Sequence, residues 1–61
     1  MEILLRVKRA KDGTIKETEK ETANVEQYAK GVSIGLRNHL ILGFSVIDKA
    51  SGKILVSKGD I

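Results

Sequence analysis

His39 is the only imidazole in the chain, and it stands beside Asn38 and two residues from Arg37. An imidazole titrates near neutrality and so can exchange a proton at physiological pH. Such chemistry also needs a group that fixes the ring, and no Ser, Asp or Glu has a spacing from His39 that supplies one. A lone His at a helix end commonly serves the terminal carbonyls, and that structural role is the favoured one. Asp12, Asp48 and Asp60 each adjoin a turn signal, where a carboxylate accepts hydrogen bonds from the backbone. No local spacing pairs two carboxylates for glycoside hydrolysis or cation binding. There is no cysteine, so thiolate metal sites and disulfides are excluded, and a zinc site within one chain would need several carboxylates around His39. Gly31-Val32-Ser33-Ile34-Gly35 lacks the Gly-Lys-Ser/Thr ending of a phosphate loop, and the first apolar segment leads into Asp12-Gly13 rather than a dinucleotide fingerprint. No catalytic residue, metal ligand or cofactor is assigned on these grounds, and the expected protein is not an enzyme.

Arg6, Lys8, Arg9 and Lys11 form the one basic cluster, with Arg6 and Lys8 on the same side of an extended segment. These are the candidate nucleic-acid contacts, because cations along a strand can meet phosphates and a two-stranded ribbon can enter a major groove. Against that use, Tyr28 and Phe44 are the only aromatics and both fall in apolar stripes, leaving no platform for stacking bases. Glu17, Glu19 and Glu21 stand where a hairpin would oppose them to the bases, so a solvated ion-paired face explains the same residues. The net charge of +3 is compatible with either use.

The elements that must carry these residues follow from periodicity. Glu2 to Arg9 alternates, with Ile3, Leu5 and Val7 on one side, which predicts a strand. Asp12-Gly13 supplies the positive φ of a tight hairpin turn. Thr14 to Thr22 is then the return strand, with loop or helix as alternatives because its only apolar residue is Ile15; as a strand it belongs at a charged sheet edge. Val25, Tyr28, Ala29, Val32 and Leu36 have helical spacing, Asn24 can cap the start with Gln27 as its partner, and Asn38 can take a left-handed cap near the end. Gly31 and Gly35 weaken that helix, and either permit another backbone to approach or end the helix early. Leu40 to Asp48 and Lys53 to Ser57 read as two more strands joined by a polar hairpin loop. Residues 1–61 therefore form a single α+β domain of ββαββ order, a mostly antiparallel sheet with one helix on one face.

In the third strand Leu40, Leu42, Phe44 and Val46 are expected to meet the helix, joined by Ile54 and Val56. Leu4, Ile41, Ile47 and Leu55 then lie on the opposite side, which one helix cannot cover. A chain of 61 residues has little stability to spare, and each exposed side chain of this size forgoes about 1.5–3 kcal/mol of burial. These four residues are accordingly the expected partner interface, most economically a homodimer contact. No export signal or membrane-length apolar run is visible, so a cytoplasmic protein without a membrane role is expected. The function that follows is a small, non-enzymatic protein-interaction or regulatory module, with a dimeric nucleic-acid binder as the alternative.

Overall fold

The computed structural model describes residues 1–61 and contains β1 (Glu2–Arg9), β2 (Ile15–Glu21), α1 (Val25–Arg37), β3 (Ile41–Asp48) and β4 (Ile54–Gly59). The four strands form one antiparallel sheet in the order β2-β1-β3-β4. The charged 15–21 segment is a strand at the sheet edge, held by its register with β1 rather than by any apolar face of its own. No helix is long and apolar enough to cross a membrane.

Local chemistry explains the element boundaries. Asn24 Oδ1 accepts the Gln27 N–H at 3.1 Å and so satisfies one orphan donor at the start of α1. Both hairpins share one design: Arg9 N–H donates to Thr14 O at 2.9 Å and Asp48 N–H to Lys53 O at 2.8 Å, each enclosing a four-residue loop. The last loop residue is Gly13 at φ 73° in one and Gly52 at φ 75° in the other. The first hairpin is thus wider than the tight Asp-Gly turn expected, because Asp12 uses its carboxylate to hold Thr14 instead of adopting positive φ.

Ile3, Phe44 and Val46 are fully buried and Ala29 nearly so, with Leu5, Val7, Val25, Tyr28, Val32, Leu36, Ile41, Leu55 and Val56 packed against them. The helix rests mainly on β3 and less on β4, so Leu5 and Val7 of β1 stay half-exposed. This is a thin core for a thin sheet.

Two bulges decide which residues face the helix. Lys8 pairs with Gly43 but Arg9 with Ile41, which leaves Leu42 as an extra residue in β3. Val46 pairs with Val56 but Ile47 with Ile54, which leaves Leu55 extra in β4. Alternation resets at each extra residue. Ile41 therefore turns to the helix side, where a Cβ on Gly35 would lie 3.8 Å from its side chain, and Leu55 packs against the core cluster. Leu40, Leu42 and Ile54, expected inside, are exposed instead.

Candidate interaction surfaces

The sheet side away from the helix carries rows set by register. One row runs Glu19, Leu4, Ile47, Ile54 and the next Glu17, Arg6, Ser45, Ser57. Of the four residues expected to form an apolar patch there, Ile41 and Leu55 belong with the core cluster. Leu4 is half-buried, and Ile47 is only 5 % exposed between its neighbours. Ile54 is the one strongly exposed aliphatic of that row, at 55 %. The expected patch is therefore a narrow strip of Leu4, Ile47 and Ile54, bounded by Ser45 and Ser57 whose hydroxyls lie 3.2 Å apart. The physical reason is the pair of bulges, which strict alternation along a strand does not foresee.

The basic cluster is also divided. Arg6 lies 3.4 Å from Glu17, its register partner, and Lys8 lies 3.1 Å from Asp60. Both cations thus have a local carboxylate. Arg9 and Lys11 have none within 4.0 Å and sit at the hairpin end of the molecule. Lys49 bridges Glu2 and Glu19 at 3.6 and 3.1 Å, and these two carboxylates hold its ammonium pKa above the ordinary lysine value, with Glu19 the larger influence.

His39 has φ 61°, the left-handed region that favours glycine. Its N–H donates to Leu36 O at 3.2 Å and the Leu40 N–H to Gly35 O at 2.9 Å, the two bonds of a Schellman ending. Asn38, expected to take the left-handed position, is the C-cap at φ −89°. The His39 imidazole takes no part in the side-chain hydrogen bonds of the structure. No three His, Asp or Glu side chains gather as a metal site.

A surface that strand alternation conceals is the end of the molecule where the β1–β2 hairpin, the α1–β3 joint and the last residues of the chain converge. Leu40 and Leu42 are exposed there, Leu40 most of all at 69 %, and so are Ile61, next to Asp60, Ile34 in the last turns of α1, and Ile15, opposite Lys8 at the start of the edge strand. The Ala10 N–H donates to Leu40 O at 3.3 Å and the Asp60 N–H to Leu42 O at 2.9 Å, tying the three segments together. The sequence signal was present in the Asn38-His39-Leu40 joint, because an αL residue after a helix throws the next side chain onto the helix end.

Fold and surface together define a small α+β domain with a helix-covered sheet and an apolar, basic end. Comparison of the chain with protein-family models, curated proteins and solved structures finds no match in any of the three.

Proposed function

We propose that this chain is a small protein-binding module whose main binding surface is the end carrying Leu40, Leu42, Ile15 and Ile61. The observation that supports this is the exposure of Leu40 and Leu42 where three chain segments are hydrogen-bonded together, in a domain whose core is so small. Large side chains left in water on one side of a soluble domain commonly mark a contact surface. A photoreactive phenylalanine analogue at Leu40 is expected to trap a protein adduct in cells that make the chain. The same probe at Lys53, in the far hairpin, is expected to trap none. Equal trapping at both positions, or none at Leu40, sinks this reading.

A second reading, self-association as a homodimer, has the strip of Leu4, Ile47 and Ile54 as its support. It uses the helix-free side of the sheet and is compatible with the first. The nucleic-acid alternative has less support, since Arg6 and Lys8 are already paired with Glu17 and Asp60.

A further inference from the structure

We infer that the partner of this end is an acidic segment of another protein bearing an aliphatic anchor, an inference that rests on the protein-binding reading above. In a Schellman ending the second residue beyond the cap packs on a residue in the last turn of the helix, here Leu40 against Gly35 or Ile34. Gly35 has no side chain to offer, and Leu40 and Ile34 remain 69 % and 51 % exposed. An apolar contact position is thus built and left open to solvent.

Cations outnumber acids around it, with Lys8, Arg9, Lys11 and Arg37 against Asp12 and Asp60. Arg37 ends α1, and Arg9 and Lys11 flank Ala10, whose N–H bonds to Leu40 O. None of the three has a carboxylate within 4.0 Å. Of the nearby acids Asp60 is paired with Lys8, while Asp12, held by Thr14, keeps its charge and faces Arg9 electrostatically, so the surplus at this end rests on Lys11 and Arg37. Of the last four helix carbonyls, those of Ile34, Gly35 and Leu36 are occupied by the N–H groups of Asn38, Leu40 and His39. A partner that brings carboxylates and one aliphatic side chain matches both features.

Two other occupants fit less well. A second copy placed by two-fold symmetry would bring two ends with the same cationic surplus together, which a partner of opposite charge avoids. Nucleic acid would meet the cations but would leave Leu40 and Ile34 against phosphate or water. It would also find no exposed aromatic, since Phe44 is fully buried and Tyr28 packs on the core.

The test is to pan random peptides displayed on phage against the intact chain and measure enriched peptides by fluorescence anisotropy. The expected result is peptides rich in Asp and Glu with a Leu or Ile, weakened about tenfold or more by Leu40→Ser and by Arg37→Glu. Added salt should weaken them further. Both side chains are exposed, so circular dichroism should show both variants folded, with Arg37→Glu melting only slightly earlier because a carboxylate replaces a cation at the helix C-terminus. Enriched peptides that depend on Leu40 but carry no acidic excess overturn the inferred chemistry and leave the binding surface standing. No enrichment over an unrelated small protein, or binding indifferent to Leu40, overturns both. A duplex DNA shift abolished by Arg9→Glu assigns this end to nucleic acid and overturns the inference.

Discussion

At the scale of single residues, backbone geometry and hydrogen bonding outrank side-chain chemistry. His39 holds a conformation in which Cβ crowds the following carbonyl, a cost of about 1–2 kcal/mol that glycine avoids. His39→Gly is therefore expected to raise the urea midpoint, by the equivalent of about 0.5–1 kcal/mol after glycine's greater unfolded-state freedom is counted. A lower midpoint would mean that the imidazole makes a stabilising contact outweighing the strain. Asp12 gives a pH-dependent signature. Its carboxylate accepts the Thr14 hydroxyl at 2.7 Å and the Thr14 N–H at 3.0 Å, which holds its pKa below the ordinary 3.8. A carboxyl depressed in the folded state stabilises above the unfolded value and loses that contribution as pH falls through the folded one. Acid titration of the thermal midpoint below about pH 4 should accordingly be shallower for Asp12→Asn than for the parent. Identical slopes would show that the turn bond persists when the carboxyl is protonated.

Elements show the same logic in their glycines and bulges. A Cβ on Gly31 would meet nothing within 4 Å, whereas one on Gly43 would lie 2.7 Å from the Asp60 backbone nitrogen and 2.9 Å from Lys58 O. Gly31→Ala should stabilise by up to about 1 kcal/mol through helix propensity. Gly43→Ala should destabilise by about 1–3 kcal/mol, because backbone cannot move aside as a flexible side chain can. Denaturant titration of the two variants separates these signs, and stabilisation by both would contradict the tight β3–β4 approach. Gly31 thus reads as open helix surface, while Gly35 is the one of the pair that meets Ile41. Bulges redirect whole side chains in the same manner. Ile41 was legible as apolar but not as helix-facing, because the register shift opposite Arg9 depends on the neighbouring strand.

For the whole molecule, the question is how much apolar surface one chain can cover. Ile41→Lys should unfold the domain, since it places a charge between sheet and helix, and circular dichroism should show a lost or strongly lowered transition. Ile54→Lys should keep the fold, because that side chain already lies largely in solvent. If the homodimer reading holds, light scattering over a dilution series will give the mass of two chains for the parent and of one for Ile54→Lys. A parent of single-chain mass at all concentrations removes the sheet-face dimer and leaves the basic end as the binding surface. Lys49 contributes to coherence at the other end, joining β1 and β2 to the β3–β4 hairpin through Glu2 and Glu19. Both pairs are exposed, so their contribution is small and falls with salt.

From the residues in order came the ββαββ succession, the capped start of α1, the charged edge strand and the inward stripe of Ile3, Phe44, Val46 and Val56. These follow from local periodicity and turn chemistry, which neighbours in the chain impose directly. Tertiary pairing decided the rest. The bulges turned Ile41 and Leu55 toward the core, and cross-strand neighbours covered Ile47. Glu17 and Asp60 claimed Arg6 and Lys8. Exposure of Leu40 likewise arose from the union of helix end, hairpin and sheet. An extra residue in one strand has no meaning until another strand is set beside it, and that is why alternation alone misplaced Ile41 and Leu55.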